Sequence, residues 1–131
     1  MYSVGGDHRN LGPARRFLES ARRGDFEACT STEVLQEILY RYSSIGRLDA
    51  ARGVYDAFVE ICPEVLSVTL ADTDRARDIL CESTGISARD AVHAAVMLNH
   101  GIDCIATFDK DFDRIRGIRR LKLTGGASFL N

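Results

Sequence analysis

No stretch of this sequence approaches the roughly 20 consecutive apolar residues that a membrane-spanning helix requires. It does not open with a basic segment followed by an apolar core, so no secretory leader is expected. The four cysteines, Cys29, Cys62, Cys81 and Cys104, form no C-x-x-C pair. Each sits in an apolar or helical context, which argues for buried free thiols rather than disulfides or a zinc site. There is no internal repeat, low-complexity tract or linker. The formal net charge is −2, so no global positive field advertises nucleic-acid binding. These absences leave one globular domain as the expectation, cytoplasmic and without a membrane partner.

What is present is ordinary in bulk and uneven in detail. The 131 residues, 45% hydrophobic and 27% charged, are enough to build a real core. Positive charge is clumped. Arg15, Arg16, Arg22 and Arg23 mark a first helix, where a solvated face is the simple reading. Arg114, Arg116, Arg119, Arg120 and Lys122 follow an acidic run, where arginines could grip phosphates.

The informative stretch runs from Ser87 to Asp113. Ser87 with Asp90 three residues on is a helix-capping arrangement. The following AVHAAVMLNH is apolar nearly all round, which predicts a buried helix. Gly101 fits the left-handed position that ends it. Asp103–Thr107 reads as a buried strand, and Asp109, Asp111 and Asp113 come directly after. In an α/β unit a helix start and the end of the next parallel strand can share one sheet edge, where ligands bind. Asp90 and Asp109 would then converge, and converging carboxylates need a cation; oxygen donors suit magnesium or manganese. The plainer reading has Asp90 only capping a helix and Asp109 only making a turn.

Elsewhere, Pro13 fits the first turn of a helix running to Arg23, and Phe26–Thr30 is a short strand. Ser31 or Thr30 caps a helix from Thr32 to about Arg47. On it, Glu33 suits the helix dipole, whereas Glu37 lies close to the apolar stripe and needs a partner. Leu48–Ile61 is amphipathic, Val65–Val68 reads as a strand, and Asp72 caps a helix over 73–82. His93, one turn after Asp90, reads as a core histidine able to meet that carboxylate, and His100 suits its helix end. A last strand spans Leu121–Thr124. Strands alternating with helices argue a parallel α/β sheet.

The motifs S-x-R-D-A-x-H-A-A and I-A-T-F-D-K-D-F, with the STEVLQEILY helix, resemble those of the PIN-domain ribonucleases, in particular VapC-type toxins of toxin–antitoxin pairs. The resemblance implies a single domain over residues 1–131 with a three-layer α/β/α fold and a parallel sheet. It implies Mg2+ or Mn2+ held by Glu37, Asp90 and Asp109, with Asp113 as a supporting acid and Thr107 as a polar neighbour. It also implies an RNA substrate, a cognate antitoxin protein and a homodimer; Arg89, Arg114 and Arg116 are the candidates for gripping RNA. One departure stands out. The family opens on a strand ending in Asp-x-Asn, and this sequence begins Met-Tyr-Ser-Val-Gly-Gly, so the first central strand is expected to be missing or replaced, leaving a distorted four-strand sheet or a slot filled by another copy. That departure supports an alternative, a catalytically inert PIN scaffold acting through protein–protein contact. A phosphoacceptor receiver domain also clusters acids at strand ends, but no lysine stands on a late strand end to serve the phosphoryl group.

Overall fold

The computed structural model describes residues 11–121, with side chains from Arg16 onward. The stretches 1–10 and 122–131 lie outside the described residues, and with them His8, Lys122, the end of the expected last strand and the expectation concerning a first strand. The chain divides between Ser67 and Val68 into two compact units.

The first unit holds α1 (Leu11–Arg22), β1 (Cys29–Ser31), α2 (Thr32–Ser44), α3 (Leu48–Ile61) and β2 (Glu64–Leu66). The β1 and β2 strands pair in parallel, Thr30 beside Val65. Ser31 closes β1 and opens α2, its hydroxyl accepting from the Val34 amide at 3.4 Å. Val34, Leu35 and Ile38 of α2 and Ala51, Phe58 and Ile61 of α3 form the buried faces, as helical spacing requires. The strand expected over 26–30 starts only at Cys29; Phe26 instead lies against Phe17 of α1, ring centroids 4.9 Å apart and the rings tilted by 40°. Cys62 is buried at the end of α3; burial first, and the neighbouring Cys29 second, push its thiol up to about 11. All four cysteines are free, but only Cys62 is buried, and Cys81 is exposed on its helix.

The second unit holds α4 (Leu70–Glu82), α5 (Ala88–Asn99), β3 (Cys104–Ala106), a 3-10 helix (Lys110–Arg114) and β4 (Arg119–Leu121). β3 and β4 pair in parallel with Ile105 beside Arg120. Thus the four described strands form two parallel pairs, one in each unit. The core of this unit is built on α5: Ala91, Ala94 and Ala95 are wholly buried and pack with Ile79, Met97, Ile105, Phe112, Ile115 and Ile118. Alanines let neighbouring elements approach closely, and they explain a helix buried on most sides. Among the described residues no helix is long and apolar enough to cross a membrane.

Two end structures fix this unit. Gly101, at φ +69, lets the chain turn back after α5, with the Gly101 amide on Leu98 O at 3.2 Å and the Ile102 amide on Met97 O at 2.9 Å. At the start of α4 the cap is Thr69, not Asp72 as expected from the sequence. Asp72 is the third helical residue, and its carboxylate reaches back to the Thr69 amide (2.8 Å) and hydroxyl (3.0 Å). The same carboxylate accepts from Asn99 Nδ2 at 2.7 Å, and Asn99 Oδ1 accepts from Arg75 at 2.9 Å, which ties α4 to the end of α5. Asp72 is 1% exposed.

Burial alone would raise the Asp72 carboxyl, but hydrogen bonds from Asn99 and Thr69 and the nearby His100 outweigh it and hold it below the usual range. The ionised form is therefore favoured by folding. Its contribution is complete above the ordinary carboxylate value and is lost as pH falls through the lower folded value. Asp72→Asn should cost about 1–3 kcal/mol near neutral pH in urea unfolding. The gap to the unmodified protein should narrow below about pH 4.

Candidate active site

Two local structures of the second unit bring acidic groups together. At the head of α5, the Ser87 hydroxyl accepts from the Asp90 amide at 3.1 Å, which seats Asp90 in the first helical turn, half-buried. Beyond β3, Thr107 is 3% exposed and its hydroxyl accepts from the Asp109 amide at 3.1 Å. Asp109 then caps the 3-10 helix, its Oδ1 accepting from the Asp111 amide at 2.9 Å. The consequence is a tight turn in which Asp111 comes back beside Asp109. Asp90, Asp109 and Asp111 each offer a carboxylate oxygen within 4.8 Å of the others.

The electrostatics follow from the geometry. Burial raises the Asp90 carboxyl above its ordinary value, and the Asp109 charge raises it further; the Ser87 hydroxyl, His93 and Arg89 pull the other way without cancelling the rise. An all-oxygen, like-charged donor set of this kind fits a hard divalent cation. Ser87 caps α5 and seats Asp90 in its first turn, Asp109 caps the 3-10 helix, and the two carboxylates also converge.

The remaining expected site residues fall in varied places. Asp113 is not in the group: its carboxylate forms a bidentate pair with Arg120, Nε to Oδ1 at 3.1 Å and Nη2 to Oδ2 at 3.2 Å, which holds its carboxyl below the usual range. The third member of the group is Asp111, which the sequence reading did not single out. The signal for it was the Asp-x-Asp spacing after a strand, which an Asx turn folds back on itself. Arg114 sends Nη1 to the Gly85 carbonyl at 3.3 Å and lies 3.8 Å from Asp111 Oδ1. Gly85, at φ +75, could not carry a Cβ without meeting that guanidinium. Arg89 and Arg116 are exposed. His93 is buried, and His100 donates from Nδ1 to Val96 O at 2.8 Å at the end of α5. Glu37 belongs to α2 of the first unit, half-buried between Val34, Leu35 and Ile38.

Residues 2–118 match the PIN domain. The chain belongs to the PIN-domain family. With membership comes the α/β class with parallel strands that both units display. The chain is 44% identical over 121 residues to the VapC ribonuclease Mb1869c of Mycobacterium bovis, covering 92% of each protein. It is equally similar to the ribonuclease VapC13 of Mycobacterium tuberculosis. To the ribonuclease VapC23 of Mycobacterium tuberculosis it is 39% identical over 112 residues, covering 83% of this chain and 86% of that protein. PIN-domain nucleases depend in general on divalent metal, and the carboxylate cluster is a fitting place for one.

The raised Asp90 carboxyl sets a sign for stability. Folding disfavours its ionised form, so stability falls as pH rises from the ordinary carboxylate value through the higher folded one. Asp90→Asn removes that penalty. In EDTA at pH 7 the variant should be more stable than the unmodified protein by a few tenths to about 1 kcal/mol. Near pH 3, where both are neutral at this position, urea unfolding should show no gain.

Proposed function

We propose that this PIN-domain protein is a metal-dependent endoribonuclease of the VapC toxin class, hydrolysing RNA phosphodiesters. The observation that carries the reading is the convergence of Asp90, Asp109 and Asp111, on the motifs that mark the family. Mg2+ or Mn2+ would be held by these three, and Glu37 of α2 is the further acid that the resemblance implies. A cation there supplies two things: a more acidic water for attack and neutralisation of charge building on the phosphate. The protein's own residues do the placing. Ser87 and Thr107 fix the backbones of Asp90 and Asp109, so the donor oxygens are set before substrate arrives. Arg89, Arg114 and Arg116 grip the RNA backbone, which orders the substrate without reading its sequence. One domain takes up the chain and acts in the cytoplasm as a homodimer, and a cognate antitoxin protein restrains it, as the resemblance to VapC-type toxins implies.

The test is cleavage of a single-stranded RNA by the purified protein with Mn2+ or Mg2+. Activity should vanish in EDTA and return with either ion. Asp90→Asn and Glu37→Gln should each lower kcat by about 100-fold or more. Absence of cutting with both ions, together with equal growth of cells expressing the unmodified protein and Asp90→Asn, would overturn the enzyme reading in favour of an inert scaffold.

A further inference from the structure

Asp109 and Asp111 ride on a short turn, and a turn carries little packing of its own. Its head is held by the Thr107 hydroxyl, and from its middle Phe112, 4% exposed, is sunk in the core. Its tail is held differently. Asp113 accepts two parallel hydrogen bonds from Arg120 at 3.1 and 3.2 Å. Arg120 lies on β4, and its backbone neighbour in the sheet is Ile105 of β3, the strand that delivers Thr107 and Asp109. Its side chain is only 22% exposed, so the guanidinium reaches out from a fixed base. A planar fork of this kind imposes geometry as well as charge, which a lysine would not do.

We infer that the Arg120–Asp113 fork is the fastening that sets the Asp109–Asp113 turn, and with it two of the three clustered carboxylates, relative to Asp90. Arg120 and Asp113 are positioning residues for the metal site; the inference rests on the metal-dependent reading given above. Asp113 is half-exposed, so the pair adds little to stability. Its effect lies in where Asp109 and Asp111 stand. A rival role for Asp113, as a ligand in its own right, predicts the opposite sign. Removing Arg120 would then free a ligand and take away a competing cation, and metal would bind more tightly.

The experiment is Mn2+ affinity, read by electron paramagnetic resonance of free Mn2+, for the unmodified protein, Arg120→Ala, Asp113→Asn, the double variant and Arg120→Lys, with circular dichroism melting as the control for folding. Arg120→Ala and Asp113→Asn should each weaken Mn2+ binding about tenfold. The double variant should be no worse than either single change, and Arg120→Lys should recover only part of the loss. Hydrogen exchange should quicken at the amides of 109–113 in Arg120→Ala, which tests the fastening without metal. Unchanged or tighter Mn2+ binding by Arg120→Ala overturns the inference alone, as do losses that add in the double variant. Failure of the unmodified protein to bind Mn2+ overturns the metal reading and the inference with it.

Discussion

Like charges at close range set the terms for the second unit. Three carboxylates offering oxygens within 4.8 Å of one another repel by an amount on the order of a few kcal/mol per pair at an effective dielectric near 20, less where water screens them. Nothing in their chemistry draws them together, so the backbone must hold them. It does so by devices that cost little and tolerate no slack: a serine at a helix head, a buried threonine hydroxyl under an amide, and an aspartate that caps the turn containing its neighbour. Beneath them Ile105, Phe112, Ile115 and Ile118 pack with the buried face of α5. The Asp90 carboxyl, raised first by burial and then by the Asp109 charge, carries part of that conflict. Stability given up at one point is what a cation would recover.

Much of this was legible from residue order. Ser87 three before Asp90 announced a helix start, and α5 begins at Ala88. The all-round apolar run 91–97 announced burial, and Gly101 its end. Leu48–Ile61 emerged with the expected bounds because its apolar spacing is regular and Pro63 closes it. Such signals are local: each needs only a few residues to state its case.

What escaped depended on partners distant in sequence or on turn geometry. Asp72 looked like a cap because it precedes a helical pattern, but Thr69 begins that helix a turn earlier and Asn99, 27 residues away, claims the carboxylate. Asp113 looked as acidic as Asp111. Only the sheet pairing that sets Arg120 beside Ile105 shows why the fork takes one and leaves the other with the cluster. β1, β2 and β3 came out three residues long, shorter than the strands expected, since apolar character marks burial and not the extent of pairing, and β4 begins at Arg119, two residues before the expected last strand.

The tight reversal at Gly101 gives α5 the character of a ruler. Asp90 stands at one end of a 12-residue rod, and the return strand, locked to the other end by the Met97 carbonyl, carries Asp109 back along it. One residue more or fewer in that rod would swing its head by about 100° and shift it about 1.5 Å. Chain length within α5 is therefore part of the site's geometry, and insertions belong outside that helix.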